Sequence, residues 1–446
     1  MLTQVRAILP DLAYAAFAIA ILLTIFWKPI FGVYFLTPLI PAEEFRERMV
    51  DYPLGGSMIT VLLLAIAIGI LRSGRSLAPV SRLRGILWTY VAFTFASLCL
   101  GTFFLDRPFP MPWADTRFID WRNYASMLFI VFLVAGAVES TKQMKILVAI
   151  IAVCVVYFDR GFLSDVMDRD FSSYSDDLRK GGSLGYAGIN GFAALMAQMI
   201  VFLLAICGYI KLRYRILCLA VAGLSAVCLM YALSRAGYIA AVAGCLFLAA
   251  VRYRKAIPVL ILLGLTWTAI VPAAVYQRTV MTTDNPGGEL DHSSETRVAL
   301  WEEALDEVAA SPVFGLGFNT YAYRQHKGNY KDSHNIYVKV LTETGVVGLT
   351  LFLILLFKSA SIGYRLFRTA VEPFHKAIGL GLAGWVVSAI ISNFFGDRFT
   401  FLEVNGYMWL IAGLVTRAAI LEQETAVIRA EEEESIPNGS LQLHAA

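Results

Sequence analysis

The stretch ILWTYVAFTFASLCLGTFFL, from Ile86 to Leu105, holds twenty residues without one charged side chain. Charges bound it on both sides, with Arg82 and Arg84 before it and Asp106 and Arg107 after it. As an α-helix it would be about 30 Å long, which is the thickness of the hydrocarbon core of a bilayer. The stretch therefore predicts a helix that crosses a membrane.

Apolar runs of this kind recur along the whole chain. Hydrophobic residues make up 58% of its 446 residues and charged residues only 16%, a balance typical of integral membrane proteins. The pattern predicts an all-α fold, a polytopic membrane helix bundle of about twelve transmembrane helices with a large, partly helical outward loop. The run from Leu12 to Ile40 is split by Lys28-Pro29, which leaves open one kinked span or a hairpin. The other runs are Gly55 to Leu71, Tyr124 to Val138, Ile146 to Phe158, Phe192 to Ile210, Ile216 to Leu233, Ala236 to Val251, Ile257 to Val275, Val338 to Phe357, Ala377 to Phe394 and Phe401 to Val415.

Basic residues predict the orientation, because Lys and Arg in short loops are retained on the cytoplasmic side. They gather in alternate loops, around Arg75, Lys145, Arg213, Lys255 and Arg365. The intervening loops are longer and mixed in sign, and we expect them to face outward, into the periplasm if the cell has two membranes. These outward loops are Pro41 to Leu54, Asp106 to Trp121, Asp159 to Ile189 and Gln277 to Ser333.

Four segments follow from this pattern. Residues 1–276 hold the N-terminal spans, 277–333 the large periplasmic loop, 334–418 the C-terminal spans, and 419–446 an acidic tail. The glutamate run in the tail predicts a disordered cytoplasmic end.

Several function classes find no support in the sequence. The basic residues mark topology instead of forming one patch, so nucleic acid is not an expected partner. The six cysteines lie inside apolar runs, which predicts no disulfide framework. No metal-ligand spacing and no Walker loop occurs, so we expect neither metal, ATP nor any other cofactor.

The large loop contains structure of its own. A helix is predicted from about Glu295 to Ala310, and Ser311-Pro312 ends it. Gly315 to Asn319 then form a turn, whose Gly-x-Gly follows a helix instead of a strand and so is no dinucleotide fingerprint. The apolar stripe of the helix consists of Val298, Trp301, Ala304, Leu305 and Val308.

The segment Ser333-His334-Asn335-Ile336-Tyr337 leads from this loop into a membrane helix. One interpretation is structural, with His334 capping the helix and Lys339 paired with Glu343 four residues on. The other is functional, because ionisable groups at membrane depth are costly and mark candidate sites.

The motif around His334 resembles that of a known family. His334-Asn335, nine residues and then Gly345-Val346-Val347-Gly348 is similar to the signature of the bacterial O-antigen ligase and polymerase superfamily. The likeness spans roughly Gly182 to Val415 and is weaker at the other matching positions. Those positions are Gly185 to Asn190, Ser234 to Gly237, Arg297, Trp301, Pro312, Gly315 and Gly317.

This resemblance implies an enzyme of the bacterial inner membrane. It would transfer a glycan from an undecaprenyl pyrophosphate donor to a hydroxyl acceptor at the periplasmic face, independently of metal and ATP. Three acceptors remain open: lipid A-core for a ligase, a growing O-antigen or exopolysaccharide for a polymerase, and a protein for an O-oligosaccharyltransferase. The competing class is a non-catalytic transporter or flippase, which predicts internal repeats and paired broken helices.

Arginine is suited to hold the pyrophosphate, because it is always charged and contacts phosphate oxygens in a bidentate way. Arg235 and Arg297 are the first candidates, and Arg324 and Lys331 the second. The structural alternatives are an interfacial anchor for Arg235 and a solvated helix face for Arg297. Arg160 and Arg179, in another outward loop, rank behind them.

His334 is the candidate catalytic base for the acceptor hydroxyl. Asn335 and Tyr337 are candidates for orienting the acceptor, or Asn335 for capping the helix. Lys339 and Glu343 are interpreted as structural or pore-lining. Four tyrosines suit either sugar contacts or an interfacial aromatic belt, namely Tyr321, Tyr323, Tyr330 and Tyr337.

Overall fold

The computed structural model describes residues 2–111, 115–179, 184–281, 292–324, 326 and 331–435. These residues form α-helices, short 3₁₀ turns and connecting loops, and they contain no β-strand. In chain order the helices are α1 (Leu2–Phe26), α2 (Ile30–Leu39), α3 (Glu43–Arg48), α4 (Met58–Arg72), α5 (Arg84–Leu105), α6 (Thr116–Ala137), α7 (Thr141–Val166), α8 (Gly188–Cys207), α9 (Leu212–Tyr231), α10 (Arg235–Val251), α11 (Ile257–Ile270), α12 (Ala273–Val280), α13 (His292–Val308), α14 (Ile336–Thr369), α15 (Pro373–Phe394) and α16 (Leu402–Ser435).

Within this described part, nine helices are long and apolar enough to cross a membrane. A tenth candidate is the pair α11 and α12, which bends by 115° where Pro272 interrupts the predicted span from Ile257 to Val275. Three apolar helices are shorter than these spans, namely Pro10–Phe26, Ile30–Leu39 and Arg235–Val251. The predicted class, a polytopic all-helical membrane protein, is confirmed.

The first apolar run folds as a hairpin, which decides between the two alternatives. α1 ends at Phe26 and α2 begins at Ile30. The rings of Phe17 and Phe35, on opposite sides of the turn, lie 6.1 Å apart. Lys28 in the turn pairs with Glu139 at 3.7 Å.

The loops sort onto two ends of the bundle, as their charges predict. At one end Arg75 pairs with Glu139 at 2.7 Å and Lys145 with Glu372 at 3.4 Å. All four lie in or beside segments expected to be cytoplasmic. The loops expected to be periplasmic meet at the other end, where Asn319 donates to Asp120 at 2.9 Å.

Close helix packing sets the centre of the bundle. α8, α15 and α16 are mostly buried, whereas α11 lies at the periphery with exposed apolar side chains. α14 and α15 approach backbone to backbone at Gly363 and Gly379, where an added Cβ on Gly363 would lie 2.6 Å from the Gly379 carbonyl oxygen. Small residues permit such approach, which is how membrane helices gain dispersion contacts.

α14 is interrupted at Gly345, whose φ of 64° and ψ of −170° are not helical. This backbone conformation is accessible essentially to glycine alone. An added Cβ would also lie 2.3 Å from the carbonyl carbon and oxygen of Val313. Gly345, the first glycine of the signature pair, therefore breaks a membrane helix where the large loop touches it.

The break is repaired by the loop itself. In an unbroken helix, the amides of Val346 and Val347 would donate to the carbonyls of Thr342 and Glu343. Here these amides donate to Pro312 and Val313 in the loop, at 2.9 and 3.2 Å. The freed carbonyls accept from Leu316 at 2.9 Å and from Gly317 at 2.8 Å. Every one of these backbone groups is thus satisfied, which the low-dielectric interior requires.

Three predictions at the level of elements need correction. α7 continues to Val166, so the loop expected from Asp159 begins only after that residue. α13 exposes the predicted stripe residues Val298 and Leu305 and instead buries Leu300 beside Ala304. Helical periodicity predicts the buried face of a helix only to within one residue position. In α13, contact with α14 buries the side that carries Leu300.

The acidic tail is the third correction. Residues 419–435 continue α16 as a helix instead of being disordered, while 436–446 lie outside the described residues. The Glu422 carboxylate anchors this extension, since it accepts from the amides of Val371 and Glu372 at 2.7 and 3.0 Å and pairs with His375 at 2.7 Å. Tertiary contacts therefore override the charge pattern there.

Replacing Gly345 with Ala tests the repaired break. We expect a loss of about 2 kcal/mol or more, since φ/ψ strain of about 1–3 kcal/mol adds to the clash with Val313. Gly74→Ala is the matched control, because Gly74 also has positive φ (71°) but no atom within 4 Å of an added Cβ. Thermal denaturation of the detergent-solubilised protein measures both, and equal losses would contradict the role given to Gly345.

Candidate active site

His334 sits in a tight turn immediately before α14. Its φ of 52° lies in the left-handed region, which non-glycine residues rarely adopt. The Asp332 carboxylate holds this conformation, accepting from the His334 backbone amide at 2.7 Å and pairing with ring Nδ1 at 2.8 Å. The imidazole is thereby fixed by two contacts to one carboxylate.

This pairing has a defined electrostatic consequence. Burial alone would raise the pKa of Asp332, but the hydrogen bond and charge of His334, with the charge of Lys339, hold it below the usual range. The carboxylate is therefore ionised at neutral pH. With Nδ1 donating to Asp332, a neutral imidazole carries its basic lone pair on Nε2.

Asn335 caps α14, which is one of its two predicted roles. Its side-chain oxygen accepts from the amides of Tyr337 and Val338 at 2.9 and 3.3 Å. Its burial is nearly complete. The Tyr337 hydroxyl donates to the carbonyl of Ile390 at 2.9 Å. Both predicted orienting residues thus hold the start of α14 in place.

Five arginines converge on a cavity of about 330 Å³, called here the arginine pocket. Among the described residues that line it there is no carboxylate. They come from segments far apart in the chain: a loop, the starts of α10 and α13, the short helix α12, and the loop before α16. The arginines are Arg179, Arg235, Arg278, Arg297 and Arg398.

Neutral groups hold several of these arginines in position. Asn190, in the first turn of α8, accepts from Arg179 at 3.0 Å and from the Ser234 hydroxyl at the same distance. Arg235 donates to the carbonyl of Met281 and, at 3.5 Å, to the Ser294 hydroxyl. These partners are neutral, and their hydrogen bonds position the guanidinium groups.

Arg398 shows how burial among other cations affects a guanidinium group. The side chain is buried and donates to the carbonyls of Ser392 at 2.6 Å and Phe395 at 3.3 Å. Burial lowers the pKa of Arg398 to about 10, and the positive charge of Arg297 acts in the same direction. Asp332 and Asp397 oppose both effects. A bound anion would relieve the repulsion among these cations.

The histidine turn is tied directly to the wall of this pocket. Trp301 lies one turn beyond Arg297 on α13 and lines the pocket. Its ring Nε1 donates to the carbonyl of Ser333 at 2.9 Å, and Ser333 precedes His334. The structure thus brings Arg235, Arg297 and His334 together at one end of the bundle.

A second cavity, of about 750 Å³, lies on the other side of the histidine turn, and Asp332 lines it. Lys339 and Glu343 line it too, which matches their predicted place. The alternative pair between these two does not form as the main contact, since Lys339 donates to Asp397 at 2.5 Å. Glu343 instead accepts from the amide of Tyr321 at 3.3 Å.

Other predicted residues lie elsewhere. Arg324 pairs with Glu307 at 2.7 Å, and Lys331 lines the larger cavity, so neither is among the residues of the arginine pocket. Arg160 is exposed on α7. Both residues are close to His334 in the sequence, but neither lines the arginine pocket.

The predicted tyrosines also lie in different parts of the structure. Tyr321 is buried and stacks on His326 with ring centroids 3.8 Å apart, so it is part of the loop core. Tyr323 lines the larger cavity, where its hydroxyl lies 2.7 Å from that of Thr116. Tyr330 lies outside the described residues.

Sequence reasoning missed three residues of this site. Asp332 had a local signal, because an aspartate two residues before a position with positive φ forms an Asx turn. Arg398 follows Asp397 in a short polar break between two apolar runs, at the outward end. Arg278 had only its place at the start of the large loop as a signal. No group of three or more potential metal ligands occurs among the described residues.

The fold and the site define a polytopic helical membrane protein with a strongly basic pocket and an adjoining histidine at one end. The model of the family described as O-Antigen ligase matches residues 220–353. That segment contains Arg235, Arg297 and His334, and the match supports a relationship of the chain to the O-antigen ligase and polymerase superfamily. The match supports a membrane enzyme of the ligase or polymerase type. None of the curated proteins compared with the chain matches it.

The pair of Asp332 and His334 predicts a pH-dependent stability. Because its folded pKa is depressed, Asp332 stabilises the fold above the usual aspartate pKa of about 4. This contribution is lost as the pH falls through the folded pKa. The difference in melting temperature between wild type and Asp332→Asn should therefore be constant near neutrality and shrink in acid.

Asp168→Asn, at an exposed position, controls for the change in net charge. Melting curves from pH 3 to 8 measure both variants. A difference between wild type and Asp332→Asn that stays constant down to pH 3 would contradict the role of the Asp332 carboxylate.

Proposed function

We propose that the chain transfers a glycan from an undecaprenyl pyrophosphate donor to a carbohydrate hydroxyl, lipid A-core or a growing glycan, at the periplasmic face of the bacterial inner membrane. The observation that carries the proposal is the arginine pocket, whose described lining has five guanidinium groups and no carboxylate. Guanidinium groups gathered at one cavity, two of them buried (Arg278 and Arg398), are suited to an anionic ligand such as a phosphate. A lipid pyrophosphate supplies that charge at the membrane surface.

The arginines act on the leaving group. When the anomeric carbon of the donor sugar separates from the pyrophosphate oxygen, the electron pair of that bond remains on the pyrophosphate. Preorganised cations stabilise this developing charge without reorganising during the reaction. Arg235 and Arg297 are the residues to which we give this role first, with Arg398, Arg179 and Arg278 completing the positive field.

His334 acts on the acceptor. Its Nε2 takes the proton of the acceptor hydroxyl while the hydroxyl oxygen forms a bond to the anomeric carbon. Asp332 orients the ring through Nδ1 and stabilises the imidazolium that results,. The proton then leaves to solvent, since the side chain of His334 is 36% exposed. The products are the elongated acceptor and the free lipid pyrophosphate.

Pyrophosphate binding by the arginine pocket can be tested without knowing the sugar. Farnesyl pyrophosphate should raise the melting temperature of the purified protein in nanodiscs, because a ligand that binds only the folded state stabilises it. Arg297→Ala removes charged hydrogen bonds of about 1.5–3 kcal/mol each. We therefore expect the apparent affinity to fall by about 10- to 100-fold.

Arg324→Ala is the matched control, since Arg324 is on the same loop but pairs with Glu307. It should bind farnesyl pyrophosphate as the wild type does. Farnesol, which lacks the charge, should give no stabilisation of any variant. Equal affinities for the two arginine variants would refute the proposed pyrophosphate site.

Replacing His334 with Ala tests the catalytic base. Transfer from the lipid-linked glycan should fall by about 10²- to 10⁴-fold, the usual contribution of general-base catalysis. Binding of farnesyl pyrophosphate should persist, because the arginine pocket is intact. Mass spectrometry of the glycan products measures the first and thermal shift the second. Normal transfer by the variant would refute the role of His334 as the catalytic base.

A further inference from the structure

The larger cavity has the opposite charge to the arginine pocket. Its described lining carries seven carboxylates and four cationic side chains, a formal excess of three negative charges. We call it the acidic cavity. The two compartments are separated by the turn that carries Asp332 and His334.

Two pairs of charges in the acidic cavity neutralise each other. Lys339 donates to Asp397, and Arg46 pairs with Glu403. The negative excess therefore comes from the remaining acids, including Asp120 and Glu47. Like charges inside a concave, partly desolvated site repel an incoming anion more strongly than they would on an open surface.

The polar and aromatic groups of the acidic cavity suit a neutral sugar. Asp120 accepts from the amide of Asn319 at 2.9 Å and keeps further lone pairs for hydroxyl donors,. Tyr323, Tyr124 and Phe318 add aromatic surface, with the last two rings 5.5 Å apart. Carboxylates bind vicinal hydroxyls, and ring faces pack on sugar C–H groups. A volume of about 750 Å³ is that of a site for a ligand of several rings.

We infer that the acidic cavity binds the acceptor as an uncharged, hydroxyl-rich glycan, so that this enzyme extends a neutral polysaccharide instead of modifying a phosphorylated lipid core. The inference rests on the proposed function, in which His334 activates an acceptor hydroxyl. It adds the chemical class of the acceptor, which the family match leaves open. A phosphorylated lipid A-core would place its phosphates among carboxylates, whereas a neutral chain avoids that repulsion.

The experiment offers the enzyme both acceptors. Protein in nanodiscs receives the lipid-linked glycan from the source organism, alone or with that organism's phosphorylated lipid A-core, intact or dephosphorylated with hydrofluoric acid. Mass spectrometry follows the products. We expect the lipid-linked glycan to be extended on itself, and the intact core to be used at least about tenfold more slowly than that chain, as electrostatic exclusion at a charged cleft allows.

Reversing one charge of the acidic cavity tests whether its negative charge excludes the phosphorylated acceptor. Glu47 lines the acidic cavity, while Glu44, on the same short helix α3, is exposed and lies outside its lining. Glu47→Lys should increase use of the phosphorylated core relative to self-extension by about threefold or more, and the increase should diminish with salt. Glu44→Lys makes the same change in net charge and should leave the ratio unchanged.

The outcomes distinguish failure of the inference about the acceptor from failure of the proposed function. Transfer to the phosphorylated core at a rate equal to or above self-extension would overturn the inference but leave the proposed function standing. An equal response to Glu47→Lys and Glu44→Lys would also overturn it. Absence of transfer to every acceptor, with farnesyl pyrophosphate still bound, would refute glycan transfer itself.

Discussion

Four backbone hydrogen bonds hold the large loop to α14, and the site is built around them. They exist because Gly345 interrupts the helix, which frees the carbonyls of Thr342 and Glu343 for loop amides. Inside a membrane protein each unsatisfied peptide group costs several kcal/mol. The freed backbone groups of α14 need hydrogen-bond partners, and the large loop supplies them. This attachment fixes α13 beside the start of α14.

That attachment places two opposite charge environments on either side of one turn. Arg297 on α13 faces the arginine pocket, while Asp332 lines the acidic cavity. The hydrogen bond from Trp301, in the wall of the arginine pocket, to the Ser333 carbonyl connects the two environments. His334 is held there with positive φ, a strained conformation of the kind that persists where the surroundings impose it and that often marks function.

The family signature acquires a physical meaning residue by residue. Asn335 caps α14, Gly345 breaks it, and the loop glycines allow close backbone contact. At Gly317 an added Cβ would lie 2.2 Å from the Cα of Gly101 on α5. Much of the motif thus builds a scaffold around His334, the proposed catalytic base. The matched segment 220–353 does not include Arg179 and Arg398, which come to the pocket from outside it.

The sequence by itself determined the class of protein and the approximate spans, because twenty apolar residues have one stable solution in a bilayer. It also singled out His334, Arg235 and Arg297 through local motifs. It did not determine that Arg324 turns to Glu307, that residues 419–435 stay helical, or that Asp332, Arg278 and Arg398 join the site. Side-chain direction and long-range pairing depend on which helices become neighbours. Only the tertiary structure, by packing segments far apart in the chain, decided which charges face one another.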